Sequence, residues 1–423
     1  MLSPRSIRCW PLVVLLACLG ACAPEPQPSQ AAAASPVVSA VNETEASRFL
    51  QGHWARPLAP QGPLPAALAA QGITLAPQSC ATCHAAQFDD WGMSLHSRAM
   101  GPGVLGQLLN MPAHTRGDHQ DCIRCHAPLA EQADSLVAAI GKPAGKNARG
   151  INQPGPLHEQ GLVCAGCHVR NNTWYGPPRR DGSQTVGDTS AHPHGGWKAS
   201  SAFESSQFCA ACHQFKDDEY SLNGKLLENT FREWQGSRYA REGVSCQSCH
   251  MPDRRHLWRG IHDPEMVKKG VEIRAEPLSV AKGEVAAQLE VANTGVGHYF
   301  PTYVTPKVVI RAVQLDAQGN RLSATEQEFV IGRQVSQDLS QEIADTRIAP
   351  DARASFDYRR PRHSSATALA WEVQVQPDAF YLEFYESLLR EAAQGTGQPL
   401  IKQARDAASA SPYLVFSKRL PLP

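Results

Sequence analysis

The pattern Cys-x-x-Cys-His occurs five times in this chain, and it constrains the fold more than any other feature. The copies are CATCH (Cys80, Cys83, His84), CIRCH (Cys122, Cys125, His126), CAGCH (Cys164, Cys167, His168), CAACH (Cys209, Cys212, His213) and CQSCH (Cys246, Cys249, His250). This is the attachment signature of c-type haem. Two thiols two residues apart reach the two vinyl groups of one porphyrin, and the adjacent His then lies under the iron as proximal ligand. Of 13 Cys, Cys9, Cys18 and Cys22 lie at the N-terminus and the other ten are consumed by the motifs. Zinc fits worse, because five CxxC pairs leave one unmatched and zinc gives no reason for a His after every second Cys. Disulfides between residues three apart would be strained loops with no stapling value. The sequence therefore predicts five covalently attached haem c groups.

The N-terminus begins with Arg5 and Arg8, runs through the apolar Trp10 to Leu19 and ends in Leu19-Gly20-Ala21-Cys22. It reads as an export signal over residues 1–21, too short to span a membrane as a helix. Its end resembles the lipobox of bacterial lipoproteins, making Cys22 the lipidated first residue; ordinary cleavage after Ala23 is the alternative. Acyl chains on Cys22 would anchor the protein stably, at the periplasmic face of the outer membrane or on the cell surface. Residues 22–48 are rich in Pro, Ala and Ser without periodicity and read as a flexible tether. Formal net charge is zero, which gives no sign of a nucleic-acid partner. Without Arg5 and Arg8, 38 basic side chains face 40 acidic ones, and haem propionates would make the holoprotein acidic. The expected partners are redox proteins, donor and acceptor cytochromes or a quinol-linked membrane complex, with the membrane reached through the lipid anchor.

Residues 49–266 form the expected pentahaem region. Successive motifs start 42, 42, 45 and 37 residues apart, a loose repeat of one haem per unit. Large apolar discs substitute for core side chains, which suits an aromatic content of 7% and predicts short helices and loops. A neutral imidazole is the usual second axial ligand of a low-spin haem, and 16 His leave eleven beyond the motifs. On a helix after the first motif, Phe88, Trp91 and Leu95 share a face and His96 follows, which makes His96 a candidate distal ligand. His158, His194 and His262 are the next candidates, with His192 and His256 as their immediate alternates. His114 and His119 remain open as ligands. His53 reads as a surface residue more than a ligand, and His363 as solvated. Trp91-x-x-Ser94-x-His96 recurs as Trp234-x-x-Ser237-x-Tyr239, with Tyr239 expected to be packed and hydrogen-bonded. Arg179, Arg180, Arg254 and Arg255 are equally compatible with propionate pairing and with a solvated surface.

Residues 267–423 change character. Segments from Val271, Val285 to Ala292, Val308 to Leu315, Ala354 to Tyr358 and Ala368 to Val375 alternate apolar and polar residues, the pattern of an antiparallel β-sandwich. An amphipathic helix over roughly Ala379 to Ala393 and a last strand from Tyr413 to Lys418 follow. The fold class is thus α+β, a multihaem region followed by a sandwich. This second region has no Cys, and its conspicuous element is Asn293-Thr-Gly-Val-Gly-His298-Tyr-Phe-Pro301-Thr302. Glycines there allow a tight excursion, and His298 at its tip is a candidate ligand reaching into the haem region; a turn whose His bonds a nearby carbonyl is the alternative.

The stretches CATCHAAQFDDWGMSLH, GLVCAGCHVR, FCAACHQF, EWQGSRYAREGVSCQSCHMP and GIHDPEM together resemble the cytochrome c-554-like multihaem family, related to the haem cores of hydroxylamine oxidoreductase and the multihaem nitrite reductases. The resemblance covers roughly residues 75–265. It implies closely packed haems in parallel-stacked and perpendicular pairs, the five motif histidines as proximal ligands, and His96 as distal ligand to a neighbouring haem. The chain departs from the family in having five motifs, not four or eight, and no motif ends in Lys. The sandwich with its Gly-His-x-x-Pro-Thr element looks like the domain appended to many bacterial multihaem cytochromes. The expected role is electron transfer along mostly bis-histidine haems, with no residue assigned a catalytic role. The alternatives are an oxidoreductase acting on a small nitrogen or sulfur compound at one five-coordinate haem, and a subunit of a cytochrome chain whose neighbour donates a distal His.

Overall fold

A computed structural model describes residues 45–111, 113–141, 155–183, 194–391 and 395–423. The export signal, Cys22, the tether and His192 lie outside the described residues. From Glu43 onward the chain forms one compact unit.

Each haem motif is one turn of helix. The carbonyl of Cys80 accepts from the amides of Cys83 and His84, and that of Cys209 from Cys212 and His213. The remaining copies lie in helices His119–His126, Cys164–His168 and Cys246–His250. A helical turn places residues i, i+3 and i+4 on one face, so both thiols and the imidazole of each motif project to the same side. Between motifs the chain forms short helices and turns. Those that matter for the site are α1 (Glu45–His53), α2 (Ala85–Met93), α3 (Pro102–Asn110) and α4 (Thr230–Gln235).

A helix over Pro264–Gly270 runs across the expected boundary at 266/267 and leads directly into the second region. There the strands are β1 (Val271–Ala275), β2 (Ser279–Ala281), β3 (Glu284–Asn293), β4 (Lys307–Leu315), β5 (Gln327–Ile331), β6 (Arg333–Val335), β7 (Glu342–Asp345), β8 (Arg353–Pro361), β9 (Ala368–Gln376) and β10 (Tyr413–Pro421). One sheet has the order β5-β4-β9-β10; the other has β8-β3-β1, with β2 also on β3; β6 and β7 form a separate ladder. All these pairings are antiparallel. Inward residues of both sheets, including Val285, Leu289, Ile310, Tyr358, Leu369, Trp371 and Val373, make one apolar core. The Tyr358 and Trp371 rings meet edge to face across it at 6.3 Å.

The fold class is α+β with a sandwich, as the sequence implies. Four strands, β2 and β5 to β7, and a second helix were not foreseen. That helix follows α5 (Ala379–Glu391) as α6 (Gln398–Ala410), and it packs back on α3 of the haem region. The crossing is close because two glycines meet there. A Cβ on Gly106 would lie 2.8 Å from Ile401, and one on Gly397 would collide with the Gly106 carbonyl. The amide of Gly397 donates to Asn110 Oδ1 at 2.7 Å. Among the described residues no helix is long and apolar enough to cross a membrane.

Candidate haem-binding sites

The turn of the first motif packs against that of the third, and the turn of the second against that of the fourth. The fifth adjoins the fourth: the Cys246 amide donates to the Ser206 hydroxyl at 2.9 Å and the Gln247 side chain to the Phe203 and Ser205 carbonyls, just before Cys209. Sequence neighbours pair only in the last case.

The imidazoles test whether these turns suit iron. A His ligand donates its second ring N–H to a carbonyl or similar acceptor, which fixes the tautomer and orients the ring. His126 Nδ1 lies 2.6 Å from the Ala99 carbonyl, His168 Nδ1 2.8 Å from that of Tyr175, and His250 Nδ1 2.7 Å from that of Arg259. His213 Nδ1 lies 2.7 Å from the Tyr303 hydroxyl. The three carbonyl contacts put the proton on Nδ1 and leave Nε2 with its lone pair; the Tyr303 hydroxyl can donate or accept, and it accepts from His213 Nδ1 when Nε2 binds iron. Burial pushes His168 and His213 down to about 4, so both rings are neutral at neutral pH, the form that binds metal. Among the described residues no three His, Cys, Asp or Glu side chains converge as a bare metal ion would require. The donor set fits haem.

The structure distributes the other candidates as follows. His96 lies centrally, its ring 6.3 Å from His213 and edge-on to Trp258 at 4.6 Å. Among the described residues its buried Nδ1 has no hydrogen-bond partner, and burial, followed by the charges of His213, His250, His256 and His126, lowers it to about 3. His194 stacks on Trp174 at 5.1 Å and faces His84 at 6.5 Å, with Nδ1 on the Gly196 carbonyl. His158 is 2% exposed and its Nδ1 meets the Ser135 hydroxyl at 2.8 Å. His298 has Nδ1 2.9 Å from the Tyr299 carbonyl, and burial lowers it to about 4, with His250 and His213 close enough to add to the effect.

Two sequence readings are revised. His262 Nε2, the atom that would ligate, lies 3.0 Å from both carboxylate oxygens of Asp378. Its alternate, His256, sits 6.2 Å from His168 with Nδ1 on the Arg254 carbonyl. His53 is not a surface residue: it is 4% exposed, stacked on Phe49, with Nε2 2.7 Å from the Cys167 carbonyl. His114 and His363 are exposed, while His119 is buried. The arginines pair with protein groups: Arg255 makes a bidentate bond to Asp90, Arg254 bonds Glu204, Arg180 faces Asp253 and Arg179 lies over Trp197.

Asp90 is a residue the sequence reading missed. It is 1% exposed on α2 and accepts from the Arg255 side chain and the His256 amide, so it fixes the segment carrying His256. No local pattern announces it, because its partners lie 165 residues away.

The recurring Trp-x-x-Ser stretch proves to be a structural device used twice. Trp91 Nε1 donates to the Leu162 carbonyl, and the Leu162 amide donates to the His96 carbonyl. In the second copy Trp234 Nε1 donates to the Val244 carbonyl, and the Val244 amide donates to the Tyr239 carbonyl. Ser94 and Ser237 each return a hydroxyl to the carbonyl of the Trp, at 2.7 Å. Leu162 and Val244 each stand two residues before the first Cys of a motif, so each clamp fixes the entry into one, the third and the fifth respectively. Gly161 and Gly243, at φ +67° and +75°, supply the turn before the clamped residue. A Cβ on Gly161 would lie 2.4 Å from the His96 carbonyl. Replacing Trp91 with Phe removes one donor from a part-buried carbonyl and is expected to cost about 1–3 kcal/mol. Guanidinium unfolding of holoprotein would show it as a lower midpoint with five haems retained.

A family model described as "Cytochrome c554 and c-prime" matches residues 79–149, which span the first two motifs and His96. The penta-heme cytochrome c552 of Thermochromatium tepidum superposes with a TM-score of 0.55 at 17% identity, over 82% of this chain and 98% of that one. A second solved structure, a structural-genomics target designated SoR45, aligns over 36% of this chain and 88% of its own at 7% identity, with a TM-score of 0.17 that carries no argument. No curated protein matches the sequence.

Proposed function

We propose that this chain, a multihaem c-type cytochrome holding five haem c groups, passes electrons between two redox partner proteins along a closed, bis-histidine array. When bound, each haem supplies an iron that cycles between ferric and ferrous states. The protein's part is to hold the five sites against one another and to orient each imidazole. The observation that carries this reading is the packing of motifs first with third, second with fourth and fourth with fifth. The Phe203 ring stacks on His168 of the third motif at 5.1 Å while its carbonyl accepts from Gln247 of the fifth at 3.1 Å, which joins the first pair to the other three motifs. A site for each electron thus adjoins a site for the next.

His96, His158, His194 and His298 serve as distal ligands in this reading, with His256 in place of His262. Support for His298 comes from the second clamp, where Tyr239 stands in the position of His96. Tyr239 is engaged elsewhere, donating to the Thr294 carbonyl at 2.8 Å under the Arg238 guanidinium. The loop carrying His298 lies directly on that clamp: a Cβ on Gly297 would sit 3.2 Å from Trp234 and 3.4 Å from Tyr239. The imidazole that the second clamp lacks is thereby offered from the sandwich. Export and anchoring through Cys22 place the array at the periplasmic face of the outer membrane or on the cell surface, where redox partners of neutral or basic charge would meet it.

Low-temperature EPR of the oxidised protein tests the closed array. Low-spin signals accounting for five irons, unchanged by nitrite or hydroxylamine, are expected. A high-spin signal integrating to one haem and altered by either compound would replace the carrier with an oxidoreductase.

A further inference from the structure

The histidines of the second, third and fifth motifs rest Nδ1 on a backbone carbonyl; His213 alone of the motif histidines rests on a side chain from the sandwich. We propose that Tyr303 sets the reduction potential of the haem held by His213, through the hydrogen bond that its hydroxyl accepts from Nδ1–H. The proposal rests on His213 being that haem's proximal ligand.

The chemistry follows from the acceptor. A fixed carbonyl is a strong acceptor and draws the Nδ1 proton away, which makes the ring a more basic ligand and favours ferric iron. A neutral phenol oxygen accepts more weakly. The ring then keeps more of its proton's charge, and the ferrous state is relatively favoured. The haem on His213 therefore sits at higher potential than the same ligand would give over a carbonyl.

The phenol's own donor matters as well. The Tyr303 hydroxyl lies beside that of Thr230. The Thr230 hydroxyl in turn lies 3.1 Å from Glu228 Oε1 and 2.8 Å from the Thr302 hydroxyl. With Nδ1–H donating to the phenol, the O–H of Tyr303 points on to Thr230, that of Thr230 to Thr302 and that of Thr302 to Glu233. Hydrogen bonds in such a chain strengthen one another, so Thr230 makes the phenol a better acceptor than an isolated one. Thr230 begins α4, in the haem region, while Tyr303 comes from the sandwich. The pair therefore completes the ligand's surroundings only when the two regions are docked.

The backbone supports a specific role. Tyr303 adopts φ +64°, the left-handed region that a bulky residue occupies at a cost of about 1–3 kcal/mol and keeps only where its surroundings require it. The conformation delivers the hydroxyl to His213.

The experiment is a redox titration of Tyr303→Phe holoprotein, with haem counted as pyridine haemochrome. The wave belonging to this haem is the one displaced in a His213→Met variant. In Tyr303→Phe that wave should move to higher potential, by about a tenfold change in the ferric-to-ferrous ratio at fixed potential, or about 59 mV for one electron. The other four should stay. A wave that does not move, or five that move together, overturns the proposal. If Tyr303→Phe fails to assemble, Thr230→Val removes the next link, and the same wave should move in the same direction by less; no movement there overturns it too. Wild-type protein with fewer than five haems would overturn both the proposal and the reading it rests on, whereas an unmoved wave in protein with five overturns the proposal alone.

Discussion

Replacing His298 with Met is expected to change the absorption spectrum and raise the potential of one haem while the other four keep theirs. The residue lies in the sandwich, yet its ring lies close to His213 and His250. Its Nδ1 faces the Tyr299 carbonyl, which leaves Nε2 as the ligating atom. Asn293 holds the loop from within, donating to the His298 carbonyl at 3.0 Å and to that of Ile348 at 3.1 Å. Glu233 of α4 holds it from the haem side by accepting from the Tyr299 amide and the Thr302 hydroxyl. Met and His ligands differ in the potential they confer, Met raising it, so a ligand exchange is read without loss of haem. Spectroelectrochemistry of the variant, with haem counted, is the measurement. Five unchanged waves would reduce the sandwich to a cover or a docking surface.

The second large effect concerns the docking itself. Arg347→Ala is expected to lower stability by about 3–5 kcal/mol, because removing one partner of a buried ion pair strands the other. Arg347 and Glu233 are 6% and 4% exposed and 3.0 Å apart, and the same guanidinium binds Asp345 and lies over the Tyr299 ring. Lys225 of the haem region reaches Asp345 and Glu342 at 2.8 and 2.9 Å, and Arg333 bonds the carbonyls of Leu222, Lys225 and Leu226. Burial pushes Asp345 up, but hydrogen bonds and charge from Arg347 and Lys225 outweigh it and hold the carboxyl well below its usual range. A depressed carboxyl stabilises the fold above its unfolded pKa of about 3.9, and that stability is lost as pH falls toward the folded value. Wild type should therefore lose more stability than the variant between about pH 6 and pH 3, and the gap between their denaturant midpoints should narrow. A gap that stays constant across that range would remove Asp345 from the explanation.

Much of the haem attachment is legible along the chain because it is local. A Cys, a Cys three residues on and the next His need only one helical turn to share a face, and residues 80–84 and 246–250 form it wherever they lie. The sandwich strands were legible for a similar reason, since alternation along β3 reports which face is buried. The polar α6 was missed because its packing depends on Gly106, nearly 300 residues earlier. The different settings of His256 and His262 were equally hidden: both stand in one short polar stretch, and their contacts come from Asp90 and Asp378, remote in sequence.

The sequence by itself determined the cofactor chemistry and the number of sites, because covalent attachment and one helical turn involve no distant residue. The tertiary structure decided the order of the array, first beside third and second beside fourth, and placed Tyr303 on His213. Those contacts join segments roughly 80 to 90 residues apart. Their partners are chosen by packing and burial across the whole molecule, which no short window of residues records.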